Sequence, residues 1–275
     1  MDNSAQIDYW NGPAGQKWVR DADRLDKMLR PFLDAVIGAG KPRAGEVVTD
    51  IGCGGGALSL EVAGRGAIAT GVDVSQPLIE VARRRAAVSA PGTRFVVADA
   101  ADWTPETAAD LIVSRFGVMF FADPVRAFAN IRKGAAPGGR LAFACWRPLA
   151  ENEWALAPII AAMPFLREAP KPPEPGAPGP FAFGQREHID RVLTEAGWRS
   201  IRISPWDGLI ELPGTAAPET AGFMLEIGPL SRTISEQGLD PLKIRDALVA
   251  RVQGLADAEG RTRLKAATWI VEACA

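Results

Sequence analysis

Val47-Val48-Thr49-Asp50-Ile51-Gly52-Cys53-Gly54-Gly55-Gly56 is a β-branched run that meets one acid and then dissolves into glycine. The apolar residues 57–64 that follow predict a helix, so the stretch reads strand, glycine loop, helix. Glycine permits positive φ and lets a ligand approach the backbone, while the start of a helix presents free N–H groups. The glycines alone leave the ligand open. Gly52, Gly54 and Ala57 also satisfy the G-x-G-x-x-G/A fingerprint of dinucleotide binding, and a bare glycine cluster can be a plain turn. Asp50 separates the readings, because a carboxylate beneath the loop suits a ligand with a cationic end and would repel a pyrophosphate.

Outward from this stretch, short apolar runs alternate with helical segments. Residues 46–51, 67–72, 94–98, 111–114 and 140–145 are strand candidates. Ser75 can cap a helix that runs to residue 87 with Pro77 in its first turn; Asp123 can cap another, with Pro124 first and Gly134 near its end. Strands alternating with helices predict βαβ units and a parallel sheet wound with helices on both faces. Two further strand ends carry acids. Asp73 can accept both hydroxyls of a ribose, and Asp99 can take an exocyclic amine of adenine.

On the amino-terminal side, Tyr9, Trp10 and Trp18 give residues 1–22 an unusual density of aromatics. Asp23 is expected to cap a helix carrying Leu25, Met28, Leu29, Phe32, Leu33 and Val36, with Gly38 and Gly40 ending it. Beyond Trp146 the alternation breaks. A helix over 153–162 is followed by a proline-rich loop at 164–180, a helix over 185–196 and a strand at 198–203. Two or three amphipathic helices in 216–257 and a strand over 263–273 complete the pattern.

The expected layout is one domain over 1–275. Residues 1–44 form an arm and helix and 45–150 the ligand-binding core; 151–184 and 213–258 are lid segments over a substrate, and 185–212 and 259–275 finish the sheet. The chain has 275 residues, 47% apolar and 23% charged, with a net charge of −2. Those values exclude a disordered or disulfide-framework chain and argue against a nucleic-acid partner. Cys53, Cys145 and Cys274 form no CxxC pair and predict reduced thiols. With no secretory signal and no apolar run long enough to span a membrane, the expected address is the cytoplasm. No Cys/His cluster or carboxylate pair suggests a metal.

Taken in order, Asp50-x-Gly52-x-Gly54-x-Gly56, Asp73, Asp99-Ala100 and 110–114 resemble the motif series of class I S-adenosylmethionine-dependent methyltransferases. The likeness is nearest the small-molecule branch that includes the ubiquinone and menaquinone biosynthetic enzymes, and it covers roughly residues 9–147, with a weaker echo to 212. It implies a Rossmann-like, doubly wound seven-stranded α/β sheet with its last strand antiparallel, an N-terminal helical arm and a helical lid insertion; strand 263–273 would return along an edge. It implies S-adenosyl-L-methionine as cofactor and S-adenosyl-L-homocysteine as product. Gly52 and Gly54 would face the methionine part and Asp73 would hold the ribose. Val74 would pack the adenine, Asp99 and Ala100 would meet the base edge, and Ser114 would lie near the sulfonium. Trp18, with Tyr9 and Trp10, resembles the family's arm, which closes over the cofactor; plain core packing is the competing role for all three.

No side chain is marked for catalysis, since a sulfonium is already activated and transfer needs alignment above all. His188, the single histidine, is a candidate base set against a surface or capping role; Arg115 is a candidate for orienting an anionic substrate, set against a structural salt bridge. Phe116, Phe120, Phe121, Trp146, Trp154, Phe165, Phe181 and Phe183 fall in segments expected above the cofactor, which suggests a small apolar or aromatic acceptor. Oxygen is the first choice of accepting atom, then carbon, then nitrogen. Two rivals stand beside this reading: an NAD(P)-dependent oxidoreductase on the same glycine loop, and a non-catalytic S-adenosylmethionine-binding sensor or scaffold.

Overall fold

The computed structural model describes residues 3–168 and 176–275. Part of the proline-rich loop expected at 164–180 therefore lies outside the described residues. The chain opens with four helices, α1 (Ser4–Asn11), α2 (Pro13–Arg20), α3 (Ala22–Met28) and α4 (Arg30–Gly40). The expected single helix from Asp23 is thus two. Asp21, not Asp23, stands at the N-cap of α3, and the helix restarts at Arg30 because Pro31 has no N–H to give the carbonyl of Lys27.

The core follows as β1 (Val47–Ile51), α5 (Ala57–Gly64), β2 (Ile68–Asp73), α6 (Gln76–Ser89), β3 (Arg94–Val97), β4 (Ala109–Arg115), α7 (Pro124–Lys133) and β5 (Ala135–Trp146). Ser75 caps α6 by accepting from the N–H of Leu78, and Asp123 caps α7 by accepting from that of Arg126. Then come α8 (Glu153–Ala162), α9 (Arg186–Glu195), β6 (Arg199–Glu211), three helices α10 (Ala217–Glu226), α11 (Pro229–Gln237) and α12 (Pro241–Leu255), and β7 (Arg263–Cys274).

The seven strands lie in the order β3-β2-β1-β4-β5-β7-β6. β1 to β5 are parallel, and β7 runs antiparallel to both of its neighbours. The order reverses at β1, and right-handed crossovers then place the helices before and after it on opposite faces. This is the Rossmann-like, doubly wound sheet with an antiparallel last strand.

One expectation is corrected. β7 is not an edge return: it is wedged between β5 and β6, pairing Leu141 with Ala273 on one side and Ile203 with Val271 on the other. Composition explains the exchange. β7 buries Leu264, Ala266, Ala267, Ile270, Val271 and Ala273, whereas β6 carries Pro205 and alternates exposed residues, which suits an outer strand. The helices α10 to α12 interrupt the chain between β6 and β7 and pack on one another and on α8.

Candidate functional site

In an open α/β sheet, ligands bind beyond the carboxyl ends of the strands, where the strand order reverses. Here that point is the crevice between β1 and β4. Glycine lets the backbones after β1 and β4 meet at its floor: a Cβ on Gly52 would come within 2.5 Å of the Cα of Gly117, and one on Gly117 would lie 2.5 Å from the carbonyl oxygen of Ile51. Gly54, at φ 52°, has nothing within 4 Å of a Cβ position, so the tip of the loop faces open space.

Asp73 ties this loop to the end of β2. One carboxylate oxygen accepts from the N–H of Gly54 at 2.8 Å and the other from the N–H of Ser75 at 2.8 Å. Each oxygen keeps a second lone pair for a ligand hydroxyl. Burial pushes the Asp73 acid above its usual range, against those backbone donors. Val74 offers its carbonyl to the side chain of Asn11. Asp99 folds a turn by accepting from the N–H of Ala101 at 2.9 Å, and the buried Ala100 is pinned through its carbonyl by Asn130.

Beneath the loop, Asp50 is only 2% exposed. One oxygen accepts from the Ser59 hydroxyl at 2.6 Å, while Oδ1 has no hydrogen-bond partner. Burial raises its pKa to about 7, opposed by the Ser59 hydroxyl and by the charge of Arg115. Arg115 gives one nitrogen to Asp26 of α3 at 2.8 Å, and its Nη1 is buried without a partner. Two opposite charges that feel one another thus each keep an unused hydrogen-bonding atom. Ser114 is fully buried, donating to the carbonyl of Ile51 at 2.7 Å and accepting from the N–H of Gly117 at 3.2 Å; it braces β4 against β1.

The amino-terminal arm straps this edge from one side to the other. The carbonyl of Trp10 accepts from the Ser75 hydroxyl, Asn11 bonds both Val74 and Gln76, and Asn3 accepts from the N–H of Ala122 beyond β4. The Trp10 ring meets Tyr9, Trp18 and Phe120 edge-on at 5.3 to 5.5 Å. Spacing did not reveal Asn11, Asp26 or Arg85. Arg85 joins the carbonyl of Gly55 to Asp26 and Asp23, a link that only the tertiary fold creates. His188 lies elsewhere, in the first turn of α9. Its Nδ1 is 3.0 Å from Arg191, its ring is near Phe183, and burial with the Arg191 charge lowers its pKa.

Residues 49–143 match the family described as Methyltransferase domain. Over that segment the chain is similar to a methyltransferase domain. The chain is 32% identical over 137 residues to a ubiquinone biosynthesis O-methyltransferase of Coxiella burnetii, an overlap of 50% of this chain and 56% of that one. It is 36% identical over 132 residues to a trans-aconitate 2-methyltransferase of Streptomyces avermitilis, covering 46% and 48%. The chain thus spans about half the length of the curated relatives it matches.

Among solved structures, the chain superposes on the magnesium protoporphyrin IX methyltransferase of Synechocystis PCC 6803 with a TM-score of 0.55, at 15% identity over 98% of this chain and 99% of the other. A phosphoethanolamine N-methyltransferase of Haemonchus contortus gives 0.52 at 18%, over 89% and 52%. Those likenesses concern the fold alone. The family match ends within β5, so the arm, helices α8 to α12, β6 and β7 lie outside the matched segment.

Proposed function

We propose that the chain binds S-adenosylmethionine across the β1–β4 crevice and transfers its methyl group to a small apolar or aromatic acceptor, at oxygen in preference to carbon or nitrogen. The observation that carries this reading is the run of complementary groups along one edge: a buried carboxyl and a buried guanidinium with unused atoms, an open glycine loop, and a doubly anchored Asp73. The residues fit a ligand with a zwitterionic amino-acid end, a sulfonium and a ribose. Asp50 would meet the ammonium, Arg115 the carboxylate and Asp73 the ribose hydroxyls, with Val74, Asp99 and Ala100 around the base and Trp18 in the roof.

When bound, the cofactor supplies a methyl group already activated for in-line displacement. The chain's part is then to align and to exclude water, and well-oriented reactants can gain on the order of 7–11 kcal/mol. The strap over the crevice and the stacked rings of Phe116 and Trp146, 4.2 Å apart, serve that exclusion. His188 and Arg115 are the candidates for acid–base or orienting roles, and the partners of His188 described above do not include the glycine loop.

Oxygen as acceptor is supported by the similarity to an O-methyltransferase. The sheet disfavours the oxidoreductase reading, whose usual strand order lacks an inserted antiparallel strand. Three free thiols support a cytoplasmic setting, and among the described residues no helix is long and apolar enough to cross a membrane. Calorimetry with S-adenosylhomocysteine and with NADH, followed by mass spectrometry of an acceptor panel, tests the proposal. Tight binding of the first alone, with products heavier by one CH2, is expected. NADH binding would overturn it; binding without transfer to any acceptor would move the chain to the sensor reading.

A further inference from the structure

Asp26 of α3 receives two guanidiniums from separate elements. Its Oδ1 accepts from Nη2 of Arg115, the last residue of β4, at 2.8 Å, and its Oδ2 accepts from Nη1 of Arg85 on α6 at 2.9 Å. The same Arg85 nitrogen donates to the carbonyl of Gly55 at 2.8 Å, while its Nη2 reaches the exposed Asp23. A Cβ on Gly55 would lie 2.8 Å from Nη1, so the third glycine of the loop is the notch into which Arg85 fits. One carboxylate of the arm therefore joins the glycine loop to the end of β4.

This join leaves half of Arg115 in reserve. Its Nη2 is held by Asp26, whereas Nη1 is buried and, among the described residues, unpartnered; Oδ1 of Asp50 is in the same condition. A buried donor with nothing to serve is costly, and a ligand carboxylate would relieve it. A loose arginine would surrender its rotamer freedom on binding such a group, but one already clamped has less to lose. Coulomb's law alone would oppose this, since an anion beside Arg115 repels a second anion. Asp26, however, is flanked by two cations, and Arg85 balances its charge.

We infer that Asp26 is a positioning residue for the amino-acid end of the cofactor: it clamps Arg115 so that Nη1 is kept for the ligand's carboxylate, and through Arg85 it holds Gly55 in register with that nitrogen. The inference rests on the methyl-transfer reading and gives the arm a second duty there. Leu25 and Met28 of α3 are buried, so the helix stays docked when Asp26 is replaced, and alanine suits a helix.

The test compares S-adenosylhomocysteine with its decarboxylated analogue, in which hydrogen replaces the carboxylate, by calorimetry on the full chain. Asp26→Ala should weaken S-adenosylhomocysteine by roughly fivefold or more and leave the affinity of the analogue unchanged, a split that a merely structural loss would not produce. Arg115→Gln should show the same split, and in that background Asp26→Ala should add nothing. Equal losses for the two ligands, no loss, or tighter binding of S-adenosylhomocysteine by Asp26→Ala would each overturn the inference. So would an Asp26→Ala effect that persists in full without Arg115. If the unaltered chain binds both ligands alike, the cofactor reading stands, Arg115 does not meet the carboxylate, and the inference falls. If it binds neither, the cofactor reading itself fails and takes the inference with it.

Discussion

Phe116 takes φ 67°, a left-handed conformation that costs a residue with a Cβ about 1–2 kcal/mol. The backbone holds it there because Ser114, Gly117 and Gly52 are locked together just before and after it, and the ring is repaid by stacking on Trp146. Phe116→Ala should therefore be less stable than Phe116→Gly by about 1 kcal/mol, although glycine is the smaller residue; equal midpoints in urea would show an unstrained turn.

Asp50 makes a prediction about pH. Its folded pKa of about 7 lies above the unfolded value of about 3.9, so the neutral acid is the form that folding favours. Its contribution to stability is complete below about pH 4 and is lost as pH rises through about 7. Unfolding titrations should show this loss in the unliganded chain and not in Asp50→Asn. Binding of S-adenosylhomocysteine should have the opposite trend, tightening through the same interval as the carboxylate becomes available to an ammonium. Asp73→Ala should weaken that binding by a few kcal/mol through loss of a charged acceptor; unchanged affinity would remove Asp73 from the site.

Among the elements, the arm has most to test. It rests on helices α10 and α11 through Lys17 to Ser231, Arg20 to Glu226 and Arg24 to Glu219, and the two ion pairs are exposed enough that solvent screens most of their attraction. Asn11 matters more for the proposed cofactor site, because its side chain bonds both the carbonyl of Val74 and the N–H of Gln76 in the turn that follows β2. Asn11→Ala should cost about 1–2 kcal/mol in S-adenosylhomocysteine affinity with little change in Tm; an unchanged affinity would detach the arm from the roof of the site.

The elements also show what the sequence could express. β1, its glycine loop and α5 were legible because strand period, positive-φ glycines and helix start fall within 18 residues of one another. The caps at Ser75 and Asp123 were legible for the same local reason. The sequence suggests a strand at 198–203, whereas β6 runs on to Glu211, since Pro205, Asp207 and Gly208 look like a loop until a neighbouring strand pairs with them. Asp26 meeting Arg115, 89 residues away, leaves no trace in spacing, and the position of β7 depended on which of two strands was the more buried.

For the whole molecule, S-adenosylhomocysteine at a hundred times its Kd should raise unfolding free energy by about 2.7 kcal/mol if it binds the native state alone. A smaller gain would mean that the unfolded chain binds it as well. The wedged β7 has a consequence for biosynthesis. β6 has no strand beside it until residues 263–274 arrive, and between the two lie the three lid helices. On a ribosome, β1 to β5 can zip together as they emerge, but β6 must wait, its backbone unsatisfied, while some fifty more residues are translated. Ribosome-bound chains halted before Arg263 should accordingly be nicked by protease within β6 and protected in β1 to β5, and release of the finished chain should erase that difference.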